Sequence, residues 1–124
     1  MKGIIETINE AKRTSSMSDV ELCCEFWDEW SGFYNGRGGL SSNPRAERLL
    51  NAIEDRFGID MWGTEVWYTT LDDIIEKEYN MPQIGIRGYE IKQWASKVRD
   101  LAHKIIINNI DLIKKGEINH WNIR

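Results

Sequence analysis

Apolar residues recur along most of the chain at intervals of three and four, the spacing that puts them on one face of a helix. Ile4, Ile5, Ile8 and Ala11 predict a short helix over residues 3–13, and Thr14, Ser15, Ser16 and Met17 predict a polar connector after it. Ser18 and Glu21 have capping-box spacing, with the Ser18 hydroxyl accepting from the Glu21 amide while Glu21 reaches back. A second helix is expected from Asp19 to about Tyr34. Leu22, Phe26, Trp30 and Phe33 line its apolar stripe, with Cys23 and Trp27 beside it.

Asn35, Gly36, Arg37, Gly38 and Gly39 break that pattern, because Asn and Gly tolerate the left-handed backbone that ends helices. Asn43 then reads as an N-cap and Pro44 as the first helical residue of a third helix. Ala46, Leu49, Leu50, Ile53 and Phe57 give it an apolar face, and Gly58 a stop.

Residues 59–69 change character. Ile59 to Trp62 and Glu65 to Tyr68 flank Gly63 and Thr64, which predicts a small β-hairpin, with an irregular aromatic loop as the alternative. Thr70 is the expected cap of a further helix with Asp72 and Asp73 in its first turn and Leu71, Ile74, Ile75 and Tyr79 facing inward. Asn80, Met81 and Pro82 stop it, and residues 83–88 read as an extended piece or a loop. A long helix is expected from about Tyr89 to Lys115. Its stripe includes Ile91, Trp94, Val98, Ala102, Ile105, Asn109 and Leu112, Asn108–Asn109 is the place for a kink, and Gly116 follows the end. The apolar tail around Ile118, Trp121 and Ile123 either packs back or holds a partner. The expected fold is therefore mainly α: a single helical domain over 1–124, a compact bundle of four to five helices with the 59–69 hairpin at its edge.

The length of 124 residues suits one domain that folds without disulfide or metal. Net charge is −4 but uneven: residues 44–80 carry four basic against nine acidic side chains, and residues 81–124 carry eight against four. An acidic body argues against a protein that coats nucleic acid, and the basic last third is expected to neutralise the chain's own acidic segments. Cys23 and Cys24 are adjacent and lack zinc-site spacing, so they read as reduced thiols of a cytoplasmic protein. An apolar, acidic helix raises a thiol pKa, the wrong direction for a nucleophile. Residues 1–13 have no apolar run of the signal-peptide kind, and no stretch is apolar for the length of a membrane span. His103 and His120 have no ligand or triad partner at a useful spacing, so neither a catalytic set, a metal nor a cofactor is expected.

Four places remain where chemistry could gather. A Gly-rich loop that enters a helix N-terminus offers amide N–H groups to an anion, and here Arg37, Gly38, Gly39, Ser41, Ser42, Asn43 and Arg45 would hold a nucleotide-type phosphate. The loop lacks P-loop spacing, and a capped interhelix loop is the plainer reading. Glu25 with Asp28 or Glu29 shares a helix face, as does Asp72 or Asp73 with Glu76. Such acid pairs resemble those of helical nucleotide pyrophosphatases, though the spacing between the sets departs from that family. The resemblance implies a Mg²⁺-dependent nucleotide hydrolase using Glu25, Asp28 and Asp73. Trp62, Trp67 and Tyr68, with Trp121 in the tail, are the candidate protein contacts among six tryptophans, whose plainer role is a Trp-rich core. Lys92, Arg99, Lys97 and Lys104 flank the long helix stripe on both sides without merging, which suits solvated edges better than nucleic acid.

The leading expectation is a small acidic protein that binds another protein without catalysis. By class-level analogy it resembles small inhibitors and adaptors encoded by phages and mobile elements, some of which mask basic surfaces of host defence. A nucleotide binder and the Mg²⁺ hydrolase are the alternatives, and the apolar face of helix 89–115 leaves room for a homo-oligomer.

Overall fold

The computed structural model describes residues 8–9, 12–31, 40, 43–63, 65–79 and 88–123. It is mainly helical. Residues 8–9 and 12–16 are helical, the latter labelled α1, and four longer helices follow: α2 (Asp19–Ser31), α3 (Pro44–Phe57), α4 (Trp67–Tyr79) and α5 (Gly88–Lys114). Helix α2 packs on both α3 and α5, and α4 packs on α5. No described helix is long and apolar enough to cross a membrane.

The core is the sum of the apolar stripes. Leu22, Cys23, Phe26 and Trp27 come from α2, and Ala46, Leu49, Leu50 and Ile53 from α3. Trp67, Tyr68, Leu71 and Ile75 come from α4, and Val98, Ala102, Ile105, Ile106 and Ile113 from α5. Each large side chain buried in this way contributes about 1.5–3 kcal/mol.

The helix ends follow local chemistry. At α2, the Ser18 hydroxyl accepts from the Glu21 amide at 3.1 Å, the first half of the capping box. The expected connector is shorter than its polarity implies, because the backbone is helical through Ser16 and bends at Met17. Ser15 and Ser16 donate back to the Lys12 and Arg13 carbonyls instead of opening a loop. The carbonyls of Thr14 and Met17 accept from the Arg56 guanidinium at 2.9 and 2.7 Å, so α3 caps the end of α1. At α3, Asn43 Oδ1 accepts from the Ala46 amide, Pro44 follows, and Gly58 adopts φ 70° with its N–H on the Glu54 carbonyl.

The hairpin expected at 59–69 is absent; among the described residues there is no strand. Residues 59–63 and 65–66 are irregular, and α4 begins at Trp67, so Thr70 lies inside the helix and is not its cap. Side chains explain this. Met61 donates its backbone N–H to Glu54 Oε2 at 3.0 Å, and its carbonyl accepts from the Tyr68 hydroxyl at 2.6 Å. Both backbone groups that a ladder would use are thereby occupied. Thr69 Oγ1 accepts from the Val66 amide and donates to the Val66 carbonyl, which starts the helix three residues before Thr69's own turn closes.

Asn109 interrupts α5 with non-helical φ −124° and ψ 17°, the kink that the sequence suggested. Its side chain is buried, donating to the carbonyls of Ile105 and Asn122 and accepting from the Asn122 amide at 2.6–2.8 Å. The tail therefore packs back. The helix closes in a Schellman motif, with Gly116 at φ 75° and bonds from Gly116 to Ile113 and from Glu117 to Leu112.

Candidate functional site

Helix α2 is the acidic element at the centre of the fold, and its carboxylates meet cations from its neighbours. Glu25 pairs with Arg13 of α1 and Arg45 of α3, and Glu29 pairs with Arg45 at 3.2 Å. Asp28 faces His103 Nε2 at 2.8 Å and Arg99 at 3.7 Å, both from α5. Asp19 pairs with Arg56 at 3.5 Å and with Lys114 at 2.9 Å. The Lys114 ammonium is held above the ordinary lysine pKa, chiefly by its hydrogen bond to Asp19. Basic side chains of α5 thus neutralise α2.

These pairs involve residues of two of the expected sites. Of the seven anion-loop residues, Arg37, Gly38, Gly39, Ser41 and Ser42 lie outside the described residues. Asn43 and Arg45 are described and serve the fold. Asn43 is buried, capping α3 and donating to the Glu29 carbonyl at 3.1 Å, while Arg45 bridges Glu25 and Glu29. Glu25 and Asp28 do share a face of α2, but each is already held by cations of other helices.

The thiols are also spoken for. Cys23 is pushed far up, first by burial and then by Cys24 and Asp19. Cys24 is pushed up to about 12, first by burial and then by Asp28. Neither forms a thiolate near neutral pH. His103 is committed to Asp28, and His120 is an exposed residue at φ 65°.

Among the described residues, one group of carboxylates converges. Oxygens of Asp72, Asp73 and Glu76 on α4 lie within 4.8 Å of one another. Asp72 is half-buried and pushed up to about 6, first by loss of hydration and then by Glu76 and Asp73. Such a group can hold a proton or a cation on the helix surface. That group holds Asp73 of the expected set Glu25, Asp28 and Asp73, but neither Glu25 nor Asp28, which pair with cations of other helices.

The aromatic residues divide sharply. Phe26, Trp27, Trp30, Trp67 and Tyr68 form one cluster with ring centroids 5.0–5.7 Å apart, joining α2 to α4. Trp67 and Tyr68, expected as surface contacts, are buried in it, and the Trp67 indole N–H has no acceptor among the described residues. Trp121 is half-buried against the core, its indole N–H on the Glu117 carbonyl at 3.0 Å. Trp62 alone of the four points out, 47% exposed.

Trp62 is nevertheless fixed. Its indole N–H donates to Glu54 Oε1 at 3.0 Å while the other oxygen of Glu54 holds the Met61 amide, and its own amide donates to Asp60 Oδ1 at 3.0 Å. Glu54 is the residue that sequence reasoning missed. Its place among the charged residues of the amphipathic helix α3, one turn before Gly58, gives no signal beyond a charged position near the following loop.

No family model matches the chain, and no curated protein or solved structure matches it.

Proposed function

We propose that this chain is a small acidic binding protein of the inhibitor or adaptor kind, which acts through contact with another protein and performs no chemistry of its own. The observation that carries this reading is Trp62, an indole 47% exposed and yet held in one orientation by Glu54 and Asp60. Tryptophan is enriched among the few residues that dominate interface energy, and an anchor ordered before binding loses little entropy on contact. The engagement of Glu25, Asp28, Cys23, Cys24 and His103 within the fold supports the same reading.

The test is quantitative capture from a lysate of the source cell with the wild-type chain and Trp62→Ala side by side. A stoichiometric protein partner is expected with wild type and at least about a tenfold loss with the variant, the scale of an interface anchor. Equal capture by both, or no stoichiometric partner, would remove the proposal. Circular dichroism and urea midpoints of the two chains establish that both are folded.

A further inference from the structure

The twenty residues from Phe57 to Glu76 contain five carboxylates, Asp60, Glu65, Asp72, Asp73 and Glu76, and neither Lys nor Arg. The described residues after Phe57, which ends α3, comprise the irregular stretches 58–63 and 65–66, which present Trp62, and the first turns of α4. Among the described residues, none of these five carboxylates is in an ion pair. The field here is one-sided. The Tyr68 phenol is pushed up to about 12, by burial and then by Glu54 and Asp60, with no cation opposing it. Asp72 is raised by burial, Glu76 and Asp73, again with no cation opposing. At Cys23 and Cys24, by contrast, Arg56 and Arg99 act against the acids of α2.

We infer that the segment presenting Trp62, with Asp60 and Glu65 on either side of it in sequence, receives a cationic segment of a partner protein, with an Arg or Lys side chain lying on the exposed face of Trp62. The inference rests on the protein-binding reading above and names the chemistry of the partner. A guanidinium or ammonium is attracted to the indole face by the ring quadrupole. Glu54 holds the N–H edge of the ring and Asp60 its backbone, so the face is already oriented. Asp60, Glu65 and Asp73 are exposed and extend the attraction beyond contact distance, which steers encounter. An acidic partner or a nucleic acid would meet the like charges of Asp60 and Glu65. A purely apolar partner would meet one ring and leave those charges without counterions. A cationic segment satisfies both features of the surface.

The experiment uses the full chain and a fluorescein-labelled octapeptide of alternating Arg and Ser, followed by anisotropy at low and high salt. Octapeptides of alternating Glu and Ser and of alternating Gln and Ser are the controls. The Arg peptide is expected to bind, more weakly as salt rises, and the controls are not. Trp62→Ala is expected to weaken binding about fivefold, the scale of one cation–π contact. The double variant Asp60→Asn, Glu65→Gln is expected to weaken it as much and to flatten the salt dependence; Asn at 60 keeps an acceptor for the Trp62 amide. Glu47→Gln with Asp111→Asn, both exposed and outside the segment, removes the same charge and is expected to change binding by less than about twofold.

If this control weakens binding as much as the other variants, the attraction is diffuse and the site is overturned. Sedimentation that shows a salt-sensitive dimer dissociated by Trp62→Ala would also overturn it, because the occupant would then be a second copy of the chain. If no Arg peptide binds while Trp62→Ala still strips the captured partner, the cationic occupant is wrong and the protein-binding reading stands. If the peptide binds as expected and capture yields no partner, the surface is supported and the proposed function is what fails.

Discussion

Helix α2 carries Asp19, Glu21, Glu25, Asp28 and Glu29, and four of these five carboxylates meet a cation from another helix. The segment from Phe57 to Glu76 carries five carboxylates and, among the described residues, none meets one. In the first region charge is used internally. Arg45, Arg56, Arg99, His103 and Lys114 come from α3 and α5, so each pair fixes how those helices sit on α2. Such half-exposed pairs are worth about 0–1 kcal/mol each, and their value lies more in orientation than in stability. In the second region the structural bonds come from neutral donors, the Met61 amide and the Trp62 indole on Glu54, and of its carboxylates Asp60, Glu65 and Asp73 are exposed while Asp72 and Glu76 are half-buried. Acid content alone therefore says little about function; where the counterions sit says more.

The two regions meet in the aromatic cluster, and cutting it has the largest expected effect. Phe26 contacts both Trp67 and Tyr68, and Phe26→Ala is expected to cost about 3–5 kcal/mol, read as a fall in the urea midpoint. Next comes Glu54→Ala, which leaves the Met61 amide without its acceptor and releases Trp62. A loss of about 1–3 kcal/mol is expected, together with faster acrylamide quenching of the exposed indole.

Asp72→Asn acts in the opposite direction. Its folded pKa of about 6 lies above the ordinary aspartate value, so the native state holds the proton more tightly than the unfolded chain does. Asp72 therefore favours the fold most below about pH 4, and that contribution is lost as pH rises through about 6. Removing the charge is expected to stabilise the protein at pH 7 by on the order of 1 kcal/mol, after allowance for partial exposure. The gain should vanish at pH 4; a constant difference across that range would show that Asp72 is not the titrating group.

The smallest effect sharpens the contrast. Asp28→Asn weakens the ties to His103 and Arg99 and is expected to cost about 0.5 kcal/mol. Added salt should shrink that cost by screening the attraction, and should shrink the Asp72→Asn gain by screening repulsion. Parallel urea titrations at low and high salt read both. If the two variants respond to salt with the same sign, the division between regions is wrong.

Much of the helical scaffold was legible because its signals are local. Asn43, Pro44, the 46–53 face and Gly58 each act within a few residues, and α3 appears where they place it. The same holds for Ser18 with Glu21 and for the kink at Asn109. The hairpin reading of 59–69 gives way to the irregular-loop alternative over 59–63 and 65–66, because the composition is strand-like while the backbone partners are not local. Glu54 comes from the preceding helix and the Tyr68 hydroxyl from the following one. The structural role of Arg45 was illegible for a related reason. Nothing near Arg45 in sequence announces that Glu25, on a different helix, takes its charge. Among the aromatic residues, composition suggested a Trp-rich core with outliers, but only the fold separates Trp67 and Tyr68 inside from Trp62 outside.

Asn109 has a further consequence for the C-terminal tail. A primary amide set among Ile105, Ile106 and Ile113 makes a socket that cannot be filled by grease alone. Whatever occupies it must offer a carbonyl and an N–H together, as Asn122 does, or leave the amide stranded. Both groups belong to the Asn122 main chain, so the lock reads backbone geometry, and the side chain at 122 can vary without breaking it.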